Sequence, residues 1–258
     1  LIGMVDAGKS ASTVQRDGNA MRGLWKYLHD RGDIGADIAG VWVGIQLPKA
    51  AKAGVIEKRA YTDEEVKAIH AAAKSGRSKA TTDVAMLVRL LHLTGARTSE
   101  LVDMKADAIT KRDGILWLDI RKSKTDAGVR SVPVTDTTMV AFLESMKSAG
   151  RAPFEAVRSS KADKNGSRAG KASRLIHMLV RNKAGIADEA TSPSHSFRHR
   201  AVTRALSAGF TDADVKVWAG HAFAGDVTRG RYGRKALNVE AMVDMARLAE
   251  EDVRASSG

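Results

Sequence analysis

The chain contains no cysteine, which removes disulfides and thiolate metal sites and fits a reducing compartment. No apolar run approaches about 18 residues, and no basic segment leads into an apolar stretch with a cleavage site, so neither a membrane span nor a signal peptide is read. A cytoplasmic location is the expectation. Acidic residues are scarce beside basic ones: 30 Asp and Glu face 42 Lys and Arg, a formal net charge of +12. An excess of this sign attracts polyanions through counterion release, and nucleic acid is the expected partner. Aromatics are few, and only three are tyrosines. One of them, Tyr232, closes the run Gly-His-Ala-Phe-Ala-Gly-Asp-Val-Thr-Arg-Gly-Arg-Tyr and follows the basic cluster Ser-His-Ser-Phe-Arg-His-Arg at 194 to 200. A tyrosine placed after His195, Arg198 and His221 reads as a nucleophile among groups that bind phosphate.

What is present suffices for a core, since 258 residues at 43% hydrophobic can build one large or two smaller domains. The chain starts at Leu1 without methionine and reads as a fragment or processed product. Residues 12 to 30 carry an apolar stripe of Val14, Met21, Leu24, Trp25 and Leu28, with Gly32 as a stop, and predict an amphipathic helix. Residues 31 to 60, with Gly, Ala, Lys and Pro48, read as connection, so the expected division is 1 to 50, a linker over 51 to 60, and a main domain over 61 to 258. Thr62-Asp-Glu-Glu predicts a capped helix to about Lys74. The nearly apolar 82 to 93 predicts a buried central helix ended by Gly95.

Residues 114 to 120 and 129 to 134 predict two strands around a Lys-rich turn, and further helices are expected at 136 to 148, 171 to 183, 196 to 208, 212 to 219 and 239 to 253. The fold class is therefore mainly α with a small antiparallel β-sheet. Between 158 and 183, Arg158, Lys161, Lys164, Arg168, Lys171, Arg174, Arg181 and Lys183 face a single acid, Asp163. This stripe is the expected DNA face, with Arg168, Lys171, Arg174 and, on the strand turn, Lys122 as contacts.

Two motifs suggest other chemistry. Gly3 to Ser10 satisfies Gly-x-x-x-x-Gly-Lys-Ser, but no buried strand precedes it and no alternating strand and helix pattern follows, so it reads as coincidence. His195, His199 and His221 offer three imidazoles, but Ser196 stands where a helical zinc motif carries Glu, and Arg198 and Arg200 would repel a dication. No metal and no cofactor are expected. Phosphate accounts for the same residues better, because a guanidinium bridges two phosphate oxygens and offsets charge in a pentacoordinate transition state. Arg97 and Arg198 suit that task. Glu100 either orients Arg97 by an ion pair or is simply an acid at a helix start.

Thr94-Gly-Ala-Arg-Thr-Ser-Glu-Leu101, Ser123-Lys-Thr125, His195-Ser-Phe-Arg-His199, Gly220-His221 and Tyr232, in that order and spacing, resemble the tyrosine recombinases, or phage-type integrases. The resemblance covers about 61 to 250, while 12 to 48 is similar to the end of that family's helical core-binding domain. It implies that Arg97 and Arg198 clamp the scissile phosphate, His195 assists proton transfer, His221 binds a nonbridging oxygen, Lys124 protonates the leaving 5′ hydroxyl, and Tyr232 attacks to give a 3′-phosphotyrosyl linkage. Lys122 is the alternative to Lys124, since residues two apart on a strand share a face. Tyr232 lies eleven residues after His221, more than is common in the family, and Phe197 replaces the more usual Leu.

The implied protein is a site-specific recombinase of a phage or other mobile element, acting on double-stranded DNA as a homotetramer on paired sites, with accessory DNA-bending proteins as further partners. Its expected place is the nucleoid of a prokaryote. Two alternatives stand beside it, a DNA-relaxing enzyme of the type IB topoisomerase kind and a DNA-binding protein whose catalysis has lapsed. The apolar spacing of Val239, Met242, Val243, Ala246 and Leu248 predicts a C-terminal helix that docks on its own domain or on a neighbouring subunit.

Overall fold

The computed structural model describes residues 11–35, 56–74, 76, 78–123, 128–221 and 238–257. The chain divides into two compact units, Leu1–Ile56 and Glu57–Gly258. In the first, helix α1 spans Ala11–Asp30. Gly32 terminates it at φ 78°, where its N–H and that of Asp33 reach back to His29 and Leu28 carbonyls.

The second unit begins with α2, Asp63–Lys74. Thr62 and Glu65 form a capping box: the Thr62 hydroxyl accepts the Glu65 N–H at 3.2 Å, and the Glu65 carboxylate accepts the Thr62 N–H at 2.9 Å. Helix α3, Lys79–Thr94, is capped by Ser78 and closed by Gly95 in the left-handed region. Its Leu87, Val88, Leu90 and Leu91 are completely buried, so α3 is the rod around which the domain packs. The short α4, Thr98–Val102, follows directly.

Strands β1 (Ile109–Arg112), β2 (Ile115–Ile120) and β3 (Arg130–Val134) form one antiparallel sheet in sequence order, with Ile109 opposite Leu118 and Leu118 opposite Val132. Two strands were expected, and β1 is the addition. It is an edge strand of four residues in which only Ile109 is buried, so it carries little hydrophobic signal. Asp113 and Gly114, both at positive φ (50° and 78°), turn it into β2, and Asp-Gly is the residue pair that such a two-residue hairpin favours.

Helix α5 covers Thr137–Ser148 and is capped by Asp136, which also pairs with Arg89 of α3 at 2.6 Å. Helix α6, Gly170–Met178, widens into a π-turn over Leu179–Lys183. Helices α7 (His195–Ser207), α8 (Asp212–Ala219) and α9 (Val239–Ser257) complete the unit. Helix α9 packs on α2, α3, β3 and α7 of its own chain.

A buried polar chain fastens α9. His70 Nε2 lies 3.0 Å from His92 Nδ1, and His92 Nε2 lies 2.8 Å from Asp252 Oδ2. Arg200 of α7 closes on the same carboxylate with Nε at 2.7 Å and Nη2 at 2.6 Å. Because Asp252 can only accept, His92 donates from Nε2; burial keeps both rings neutral, so His92 Nδ1 accepts the hydrogen bond from His70 Nε2–H. Burial raises the Asp252 carboxyl, but the His92 and Arg200 hydrogen bonds more than offset it and hold it well below the usual carboxylate range. Burial lowers His92, and burial with the neighbouring His92 lowers His70 to about 3.

Histidines depressed in the folded state contribute stability that is whole above their unfolded pKa of about 6.5 and drains as pH falls towards the folded values. The thermal midpoint of the protein is therefore expected to fall between pH 7 and pH 4. In His70→Gln, which keeps an N–H donor without titrating, the fall should be shallower, as read by thermal denaturation across that range.

Candidate active site

Four chain segments meet where α3 ends. Thr94 turns its hydroxyl back onto the Leu90 carbonyl at 2.6 Å and accepts the Ala96 N–H at 3.2 Å. Gly95, at φ 57°, lets the chain reverse at once. Arg97 then enters α4 as its N-cap in extended conformation. Its backbone N–H donates to Glu100 Oε2 at 2.9 Å and its Nη1 to Glu100 Oε1 at 2.7 Å. The two readings of Glu100 are thus one geometry, since a single carboxylate caps the helix and holds the guanidinium.

Glu100 is the anion at the centre, its side chain 1% exposed. Ser123 Oγ donates to it at 2.6 Å, and Arg130 Nη1 reaches it at 3.2 Å. Burial raises its carboxyl, but Arg130, Ser123 and Arg97 together outweigh this and keep it ionised. Arg97 Nη1 also donates to Ser123 Oγ at 3.1 Å. Gly128, at the far end of the β2–β3 turn, lies so close that a Cβ there would overlap Ser123 and come within 3.2 Å of Arg97 Nη1.

The first turn of α7 supplies His195 and Arg198. Arg198 is 5% exposed, donates Nη1–H to the Gly95 carbonyl at 2.9 Å and Nε–H to His221 Nε2 at 3.1 Å. Its Nη2 is buried and has no partner among the described residues. His221 follows Gly220, which ends α8 at φ 71°. Arg97, His195 and Arg198, with Ala96, Thr98 and Ser194, line a shallow cleft.

Positive charge dominates this cleft. Burial, then Arg97 and Arg130, bring the Arg198 guanidinium down to about 10, so it stays charged at neutral pH. Burial, then Arg198, Arg97 and Arg130, depress His221 to about 4. His195 is lowered by burial and then by Arg198 and Arg97. Both imidazoles are neutral at pH 7, and since His221 Nε2 accepts from Arg198, its proton sits on Nδ1. Arg97, Arg130 and Arg198 against Glu100 leave an excess of two positive charges, three minus one, among these four groups. Preorganised cations of this kind suit an anion whose charge grows during reaction.

Of the sequence-expected residues, the structure brings together Arg97, Glu100, His195, Arg198 and His221. Lys124, Tyr232 and the Gly3 to Ser10 segment lie outside the described residues. Lys122 is exposed on the turn, its Nζ 3.2 Å from the place a Cβ on Gly166 would occupy. Arg168 and Arg174 are exposed, while Lys171, also exposed, rests its ammonium on the Ala156 carbonyl at 2.7 Å.

One member of the basic stripe does not belong there. Arg181 turns inward and binds the carbonyls of Ile186, Asp188 and Thr191 and the Thr191 hydroxyl, so it organises the 186 to 191 loop. Arg130 and Ser123 are the site residues that sequence reading left without a role. Arg130 sits in Val129-Arg-Ser-Val132, where strand alternation makes a charged residue look solvent-facing, and no local pattern shows that a second layer covers it.

The phage integrase family model matches residues 59–236. A tyrosine recombinase XerC from Mycobacterium leprae (strain TN) is 28% identical over 220 residues, 82% of this chain and 68% of that protein. Among solved structures, a lambda integrase dimer bound to a COC′ core site superposes with a TM-score of 0.57 at 21% identity, over 90% of this chain and 76% of that one. A lambda integrase tetramer bound to a Holliday junction gives 0.56 at 21% identity, over 92% and 62%. At such identity the solved structures show a shared fold, in which a small antiparallel sheet sits among helices. The family match runs from ahead of α2 past Tyr232 and takes in Arg97, His195, Arg198 and His221, and on it the chain belongs to the phage integrase family, the tyrosine-type DNA recombinases.

Proposed function

We propose that the protein is a site-specific recombinase that cuts and rejoins double-stranded DNA through a 3′-phosphotyrosyl intermediate. The observation that carries this reading is the convergence of Arg97 and Arg198, about a hundred residues apart, on one cleft that His195 also lines, with His221 hydrogen-bonded to Arg198 and an excess of positive charge. In the proposed reaction the Tyr232 phenolic oxygen forms a bond to the scissile phosphorus and the P–O5′ bond breaks. The departing 5′ oxygen takes a proton from Lys124, while the phenol proton leaves with help from His195. A phenol near pKa 10 is a weak nucleophile at neutral pH, so surrounding cations must favour its ionised form. Arg97 and Arg198 offset the charge of the pentacoordinate phosphorus, and His221 offers its Nδ1–H to a nonbridging oxygen.

The number of phosphodiester bonds is conserved, because one phosphate ester is exchanged for another. Religation reverses the step with a 5′ hydroxyl of either partner strand and needs no nucleotide hydrolysis. Arg168, Lys171, Arg174 and Lys122 contact the DNA backbone. Paired sites imply a homotetramer, a reading supported by the likeness to a lambda integrase that forms a tetramer on a Holliday junction. Residues 1 to 50 act as part of a DNA clamp joined by 51 to 60 to the catalytic domain over 61 to 258, with accessory DNA-bending proteins as further partners. No helix among the described residues is long and apolar enough to cross a membrane, and the proposed place of action is the cytoplasm, on the nucleoid.

On a nicked suicide substrate carrying the cognate site, wild type should give a covalent adduct that survives denaturing electrophoresis and Tyr232→Phe should give none. Arg198→Ala should slow adduct formation by about 10²- to 10³-fold. An adduct formed by Tyr232→Phe would remove the nucleophile assignment. Neutralising Arg168, Lys171 and Arg174 together should reduce the slope of log affinity against log salt by about 0.9 for each phosphate that the protein no longer neutralises, as read by fluorescence anisotropy. In the free protein, side-chain nitrogen NMR should find His221 as the Nδ1–H tautomer with a midpoint near 4.

A further inference from the structure

Arg130 stands outside the motifs that define the site, yet its guanidinium touches three segments that carry them. From β3, Nε–H donates to the Trp218 carbonyl at 2.7 Å, near the end of α8 and three residues before His221. Nη1 donates to the Gly128 carbonyl at 2.8 Å, two residues before β3 begins. The same nitrogen reaches Glu100 Oε2 at 3.2 Å, the oxygen that also accepts the Arg97 backbone N–H. A Cβ on Gly220 would lie 2.6 Å from Nη1 and 2.9 Å from Cζ, so the guanidinium presses directly on the turn that delivers His221.

This is a costly way to join three loops. The side chain is 4% exposed and, among the described residues, its Nη2 is buried without a partner and its one counterion is shared with Arg97. Burying a charge with incomplete pairing is unfavourable, and an apolar side chain of similar volume often serves stability as well or better. What an apolar residue cannot do is fix three backbone positions through one rigid plane, since a guanidinium carries its donors in a set fork. We infer that Arg130 is a positioning residue for phosphoryl transfer, setting the mutual placement of the Arg97–Glu100 pair, the Gly128 backbone ahead of β3 and the His221–Arg198 pair. The inference rests on the recombinase reading. Its charge has a second effect, because Arg130 is among the cations that depress both Arg198 and His221, and so helps keep the imidazole an acceptor for Arg198.

The test compares Arg130→Met and Arg130→Lys with wild type in single-turnover cleavage of the suicide substrate at saturating DNA, with Kd measured separately and folding checked by thermal denaturation. Displacement of reacting groups by about 1 Å costs about 10²-fold, so Arg130→Met should lose about that factor in rate with Kd within about twofold of wild type. The His221 midpoint in free Arg130→Met should move up towards 6.5. Lysine restores the charge without the fork, so Arg130→Lys should return the midpoint towards about 4 while the rate stays low. If Arg130→Met unfolds below assay temperature, Gly220→Ala, whose Cβ would fall 2.6 Å from Nη1 and displace the guanidinium, should show the rate loss.

A folded Arg130→Met or Gly220→Ala at the wild-type rate would overturn the assignment. So would full rescue of the rate by lysine, which would make charge alone sufficient. Absence of an adduct from wild type would instead remove the recombinase reading, and this role with it.

Discussion

One buried carboxylate makes the site tenable. Arg97, Arg130 and Arg198 are drawn into a region where water cannot screen them well, so their like charges repel, and burial, then Arg97 and Arg130, pull the Arg198 guanidinium down. Glu100 is almost wholly enclosed, binds Arg97 and Arg130 directly, and takes a further hydrogen bond from Ser123. It compensates part of the charge and leaves the remainder facing the cleft. That remainder is an electrostatic demand for an anion, built into the fold before any substrate arrives. The same carboxylate caps α4, so the helix start and the cation placement stand or fall together.

Helix α7 is gripped on two sides. Arg198 reaches across to the Gly95 carbonyl and to His221, while Arg200, two residues on, reaches Asp252 of α9, Asp63 and the Tyr61 carbonyl. Residues two apart on a helix point in widely different directions, so one helix joins the cleft to the seat of the C-terminal helix. In this chain the seat is filled by the chain's own α9. Any arrangement that handed α9 to a neighbouring subunit would strip Asp252 from Arg200 and His92 and would have to return an equivalent carboxylate, because a buried guanidinium left unpaired is strongly destabilising.

The elements with strong local signals were legible from sequence: the apolar run of α3, the Thr62 cap, the Gly95 and Gly32 stops, and β2 and β3. Arg97, His195, Arg198 and His221 were legible as a set because each sits in a short pattern at the end of an element, where backbone geometry constrains residue type. Arg130 was not, since what makes it special is the covering of β3 by the end of α8, 88 residues away in the chain. Arg181 misled in the opposite direction, because a basic residue in a basic stretch gives no hint that four acceptors wait inside the protein. His70, His92 and Asp252 form one chain across 160 residues between the last two, and no spacing rule connects them. Edge strand β1 was hidden by its polarity, although Asp113-Gly114 marked its turn.

The cleft also shows why arginines and histidines are mixed there. Arg130, Arg198, His195 and His221 feel the same perturbation, burial and the repulsion of neighbouring cations, and these four are shifted towards their neutral forms. A guanidinium begins so high that Arg198, brought down to about 10, remains a cation at neutral pH. An imidazole begins near neutrality, so the same surroundings carry His221 down to about 4 and make it neutral. One environment therefore yields two kinds of group, fixed cations that hold an anion and neutral rings that can donate or accept a proton. Lysine in the place of Arg198 would begin about two to three units lower than arginine, so the same shift would leave it a smaller margin of charge, and it would lack the fork that reaches both the Gly95 carbonyl and His221.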